Sequence, residues 1–119
     1  MPDDRIFHLC EQISKKLAHN WTIEEMTEAT GLSRSYFIKL FKNSTTMSPI
    51  AWLREVRLKK ARELLKGDHE QICQIGRRVG MPNDSHFTRD FKKRFGKTPT
   101  AYRRNYHEEK QAKILSGQK

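Results

Sequence analysis

The stretch Ser33–Arg54, SRSYFIKLFKNSTTMSPIAWLR, aligns without a gap on Asn83–Arg104, NDSHFTRDFKKRFGKTPTAYRR, fifty residues downstream. Seven of the 22 positions are identical: Ser35/Ser85, Phe37/Phe87, Phe41/Phe91, Lys42/Lys92, Pro49/Pro99, Ala51/Ala101 and Arg54/Arg104. Lys39/Arg89, Ser48/Thr98 and Trp52/Tyr102 are conservative. The likeness continues upstream at an offset of forty-nine, with Ile23 on Ile72, Met26 on Ile75 and Gly31 on Gly80; Pro82 is the extra residue of the second copy. Internal repetition at this scale speaks for the whole fold, because each copy must be one supersecondary unit.

The unit is readable from its punctuation. Thr22 with Glu25 has capping-box spacing and opens a short helix that Gly31 stops. Ser33 then caps the helix carrying Phe37, Leu40 and Phe41 on one face, which is a core stripe. Ser48-Pro49 opens the next helix, with proline at its first position. A short helix, a glycine-containing turn and a second helix make helix-turn-helix grammar. The second copy repeats it: Asp68 with Gln71 opens a short helix carrying Ile72 and Ile75, Gly80 ends it, Asn83 caps the helix of Phe87, Phe91 and Phe95, and Gly96 ends that one.

Outside the repeat the period remains helical, and no alternating strand pattern occurs. Ile6, Cys10, Ile13 and Leu17 form a stripe opened by Asp3 or Asp4. Ile50, Leu53, Arg57, Ala61 and Leu64 form another along the helix that follows Ser48 and ends at Lys66-Gly67. Thr98-Pro99 opens a last helix that fades near Ser116. The expected fold is all-α, with about seven helices. Two helix-turn-helix subdomains, 1–47 and 67–107, flank a linker helix, 48–66, and a polar tail follows at 108–119.

The chain of 119 residues carries a net charge of +10 and a pI near 9.9. A small basic chain of this kind points first to nucleic acid and second to an anionic surface. Cys10 and Cys73 lie far apart on apolar helix faces, which suits a reducing cytoplasm better than a disulfide framework. The N-terminus, Met1-Pro2-Asp3-Asp4, is acidic and lacks the apolar run of a signal peptide. No apolar stretch approaches the ~18 residues of a membrane span. The histidines 8, 19, 69, 86 and 107 are scattered and form no zinc pattern with the cysteines. No nucleophile motif, glycine-rich phosphate loop or carboxylate pair is present, so the expectation is neither an enzyme nor a cofactor or metal protein.

RLKKARELL (Arg57–Leu65) and IGRRVGMPNDSHFTRDFKKRFGKTPTAYRR (Ile75–Arg104) resemble the DNA-binding domain of the AraC/XylS family of bacterial transcription regulators, FKKRFGKTPTAYR being the most specific part. The resemblance covers roughly Asn20 to Arg104. It implies two recognition helices entering the major groove on one face of DNA, and regulation that is most often activation through contact with RNA polymerase. It also implies an N-terminal effector or dimerisation domain in many members, so that the chain is a short regulator or the C-terminal part of a longer one. Three positions depart from the pattern. Thr46 stands where glycine is usual, so a different turn is expected before Ser48. Met81 replaces a phenylalanine and loosens the second turn. Gly76 replaces an alanine at up to ~1 kcal/mol of helix propensity, which marks the second subdomain as the less stable.

Carried over residue by residue, the resemblance makes Arg34, Ser35, Ile38 and Lys39 base-facing in the first copy. Asp84, Ser85, Thr88 and Arg89 match them in the second. Their chemistry fits: lysine and arginine donate to guanine O6 and N7, serine is versatile, and isoleucine meets a thymine methyl. Asp84 either accepts from cytosine N4 or supports its helix N-terminus. Ser33 and Asn83, at helix starts, and Lys42, Lys92, Lys93 and Lys97 are the expected phosphate contacts. From Arg89 to Arg104 seven basic residues face one acid, Asp90. Arg57, among apolar positions, is expected to pair with a carboxylate or pack its stem. The linker of 19 residues would span about 28 Å as a helix, against ~34 Å between successive major-groove faces. That suggests a monomer reading an asymmetric double-stranded site of about 20 base pairs. The competing classes are a basic module for protein or anionic surfaces, and a packager without sequence preference. The short, repeatedly capped stripes argue against a membrane-surface helix.

Overall fold

The computed structural model describes residues 3–67 and 69–117. Among them are seven α-helices and no strand: α1 (Asp4–Lys15), α2 (Ile23–Thr30), α3 (Arg34–Thr45), α4 (Pro49–Leu64), α5 (Ile72–Arg78), α6 (Asp84–Phe95) and α7 (Pro99–Leu115). The chain divides into two compact units, Met1–Arg57 and Leu58–Lys119, so the division falls within α4.

The helix starts follow local chemistry. Asp3, Thr22, Ser33, Asn83 and Thr98 each accept a backbone N–H of the first turn that no carbonyl of the helix can satisfy. Thr22 accepts from Glu25 N, but the Glu25 carboxylate turns to His19 Nε2, 2.7 Å away, so only half of the capping box forms. Gln71 is the N-cap of α5 and its side chain makes no capping bond. The expected cap at Asp68 lies outside the described residues.

In the first unit, α1, α2 and α3 pack around Met26, Phe37 and Phe41, all fully buried. Phe37 and Phe41 lie 5.7 Å apart, and Trp52 of α4 meets Phe41 edge-on at 5.7 Å. The second unit repeats the arrangement: Phe87 and Phe91 lie 6.0 Å apart, and Tyr102 of α7 meets Phe91 at 5.8 Å. The conservative pair Trp52/Tyr102 thus does one packing job twice.

Two apolar stripes run differently from the sequence expectation. On α1, Leu9 is buried between Ile6 and Ile13, and Cys10 is half-buried at the flank. On α4, Ile50 is 45% exposed and Leu64 only partly covered, whereas Leu53, Leu58, Ala61 and, just past the helix end, Leu65 are buried. The helix serves two cores, Leu53 in one and the other three in the next, so the apolar phase slips between Leu53 and Leu58. A single stripe cannot follow such a slip.

Among the described residues the partners of Arg57 are main-chain carbonyls rather than a carboxylate. Its Nε donates to Leu17 O at 3.1 Å and its Nη2 to His19 O at 2.9 Å, which tethers the end of the first helical segment to α4. Arg103 does the same in the second unit, donating to Leu65 O at 3.2 Å and to Glu70 O at 2.6 Å. Hydrogen bonds from a charged donor to a carbonyl are among the stronger ones.

The turn before Ser48 does not differ from its counterpart. Thr46 adopts φ 67°, ψ 2°, close to Gly96 at φ 84°, ψ −7°. Thr46 N donates to Lys42 O at 2.8 Å, as Gly96 N donates to Lys92 O at 2.7 Å. The neighbouring Thr45 hydroxyl lies 2.9 Å from Phe41 O and accepts from Met47 N at 3.2 Å. These bonds hold a β-branched residue where sterics disfavour it. Gly76, in turn, is no mere propensity defect. A Cβ there would lie 2.8 Å from Met81 O and 3.1 Å from Phe87 Cδ2, while Met81 N donates to Gly76 O at 2.7 Å. The turn closes directly onto the α5 backbone.

Thr46→Gly should relieve left-handed strain of about 1–2 kcal/mol, partly offset by the entropy of an unfolded glycine. The expected net gain is ~0.5–1 kcal/mol, seen as a melting temperature a few degrees higher. Gly76→Ala should do the opposite and lower stability by about 1–3 kcal/mol, read from the midpoint of denaturant unfolding.

Candidate nucleic-acid interface

The second helix of each motif is fixed in rotation by its phenylalanines. At 100° per residue, Ser35, Lys39 and Lys42 fall on the side of α3 away from Phe37 and Phe41. All three are exposed, as is Arg34. Ile38 falls on the flank, partly buried against the first core, so only part of its side chain is open. On α6 the same frame turns Ser85 and Arg89 outward and leaves Thr88 partly covered, whereas Asp84 lies on the phenylalanine side and is exposed in the first turn. The four expected base-facing residues of each copy stand on one helix but not on one face: Arg34 and Asp84, in the first turn, lie on the phenylalanine side.

The helix starts are exposed too. Ser33 Oγ accepts Tyr36 N at 3.4 Å and Asn83 Oδ1 accepts His86 N at 2.9 Å, so both side chains are engaged in capping. Lys42, Lys92, Lys93 and Lys97 are exposed. The basic segment from Arg89 to Arg104 is not uniformly available. Arg103 is committed to carbonyls. Arg94 lies 4.9 Å from the centre of the Phe95 ring, whose centre also lies 4.6 Å from the guanidinium of Arg62.

Two of the expected reading arginines have carboxylate partners. Arg34 Nη1 lies 3.0 Å from Glu24 Oε1 of α2, and Arg89 Nε lies 3.3 Å from Asp90 Oδ1. Sequence reasoning missed both pairs, and also Tyr36, which stands 50% exposed beside Ser35. An exposed aromatic next to basic and hydroxyl side chains was the available signal for Tyr36.

Other chemistry is sparse. Burial pushes the Cys10 thiol up to about 11, so it stays protonated and weakly nucleophilic at neutral pH. Among the described residues no three His, Cys, Asp or Glu side chains are grouped to hold a metal. No described helix is long and apolar enough to cross a membrane.

A helix-turn-helix domain family matches residues 26–105. The regulator MtrA of Neisseria gonorrhoeae is 30% identical over 102 residues, 86% of this chain and 34% of that protein. The arabinose operon regulatory protein of Escherichia coli is 32% identical over 102 residues, 85% of this chain and 35% of that protein. The chain thus spans about a third of the length of the curated relatives it matches. Among solved structures, the C-terminal domain of AraT, a response regulator from Geobacillus stearothermophilus, superposes with a TM-score of 0.81 at 30% identity, covering 87% of each chain. The DNA-binding domain of AdpA, a global transcriptional factor solved in complex with a target DNA, has the same fold. Its TM-score is 0.85 at 22% identity, over 90% of this chain and 96% of that one.

Proposed function

The chain belongs to the AraC/XylS family of helix-turn-helix DNA-binding proteins, and from that premise we propose that it reads a specific double-stranded DNA site through α3 and α6 together and so regulates transcription. The reading is carried by the duplication. Two helices share one packing frame, Phe37/Phe41 and Phe87/Phe91, and present different polar side chains from it. A frame kept twice with different exposed residues suits a reader of two unlike half-sites.

In this reading Ser35, Lys39 and Arg34, with the open part of Ile38, meet bases in one major groove. Arg89, Ser85 and Thr88 meet bases in the other, with Arg89 the principal donor to guanine. Asp84 supports the start of α6 and discriminates against an acceptor in front of it. Ser33, Asn83, Lys42, Lys92, Lys93 and Lys97 fix the register on phosphates. The unlike faces favour an asymmetric site of about two turns bound by one protomer. In the same reading the chain has four parts, 1–47, 48–66, 67–107 and 108–119, with the linker helix joining the two motifs. Activation through contact with RNA polymerase, residence in the cytoplasm on the nucleoid, and the absence of any catalytic step complete the proposal.

Selection from a random duplex pool tests it. An enriched asymmetric motif of about 20 base pairs is expected, and a palindrome occupied by two protomers, or no enrichment, would refute it. Arg89→Ala should cost about 1–3 kcal/mol on the selected site and relax one or two base positions, whereas Lys92→Ala should weaken all sequences alike and reduce the salt slope by ~1. Equal weakening by Arg89→Ala on every sequence would move Arg89 to the phosphate group.

A further inference from the structure

The excess positive charge is unevenly shared. The first unit, Met1–Arg57, has eight Lys and Arg against seven Asp and Glu, a net +1. The second, Leu58–Lys119, has sixteen against seven, a net +9. The helices that open the two motifs show the same contrast: α2 (IEEMTEAT) carries three acids and no base, and α5 (ICQIGRR) two bases and no acid. At the repeat offsets Glu24 and Arg34 correspond to Cys73 and Asp84, so the Arg34–Glu24 pair has no counterpart in the second motif.

The pair is a surface one, with side-chain exposures of 63% and 72%. It therefore adds little to stability. Its effect on a ligand is different. The 3.0 Å bond uses Arg34 Nη1, which leaves Nε and Nη2 for an incoming acceptor. Any acceptor bonded there also lies within about 6 Å of the Glu24 carboxylate. To a phosphate, which is bound by charge, the pair presents no net charge. To a base edge, which is bound by donor geometry, it presents a guanidinium already oriented.

We propose that Glu24 is a positioning residue that sets DNA specificity: by holding Arg34 and opposing phosphate, it lets the first motif engage only where a base acceptor meets Arg34. The second unit, with a net charge of +9 and basic residues in α5, supplies the sequence-independent attraction. This rests on the DNA-reading function proposed above.

The test uses the full chain on two duplexes, the site selected from the random pool and a scrambled duplex of equal length and composition, over a salt series. Glu24→Gln should raise affinity for the scrambled duplex about two- to fivefold, the range of one exposed ion pair, and raise affinity for the selected site less. The specificity ratio then falls. Glu28→Gln, the same charge change on the same helix, should move both duplexes together. In an Arg34→Ala background, Glu24→Gln should leave the ratio unchanged. A ratio unaltered by Glu24→Gln, or one that falls equally without Arg34, overturns the proposal. A wild-type chain that binds both duplexes alike refutes the DNA-reading function itself, which separates the two failures. Thermal melts of each variant identify any change that comes from loss of fold.

Discussion

Everything on the exposed faces depends on two phenylalanines one turn apart. Phe37 and Phe41 on α3, and Phe87 and Phe91 on α6, are 0–1% exposed. Each side chain of this size gains about 1.5–3 kcal/mol on burial, and truncation in a core costs about 3–5 kcal/mol. The energetic role is only half of it. Two anchors at i and i+4 fix the rotation of the helix about its axis, which a single anchor would leave loose. The angular positions of Ser35 and Lys39, or Ser85 and Arg89, follow without any contact of their own. Trp52 and Tyr102 close the cluster from the following helix, so the aromatic group also sets where the chain leaves the motif.

What the amino acids disclosed and what they hid divide along the range of the interaction. Caps at Thr22, Ser33, Asn83 and Thr98 and stops at Gly31 and Gly96 are contacts within one turn, and their residue types announce them. The repeat disclosed the paired motifs and, through the phenylalanine period, which residues of α3 and α6 face outward. Hidden were features that depend on a second element. The phase slip in α4 arises because one helix serves two cores. Gly76 matters because a turn five residues away lands on it. The Arg34–Glu24 pair bridges two helices across ten positions. Thr46 misled for the reverse reason: its own preference was read correctly, but the hydroxyl of Thr45 and the α3 carbonyls outweigh it.

The two copies have kept their interiors and diverged on their surfaces. Aromatic distances agree to within a few tenths of an ångström between the units. The charges of the opening helices do not, as α2 and α5 show. Packing tolerates few alternatives because volume is fixed. An exposed position costs the fold little when it changes. A duplicated reader therefore diverges first in what it presents to its ligand.

The arginine tethers carry a different lesson. Arg57 and Arg103 bind main-chain oxygens of Leu17, His19, Leu65 and Glu70. Every residue type supplies a carbonyl, so the acceptor side of each tether is indifferent to substitution, while the donor side admits only a long side chain with several directed N–H groups. Partners chosen this way leave no trace of mutual dependence in sequence variation. Two of the firmest long-range ties in the molecule would be invisible to any method that looks for pairs of residues changing together.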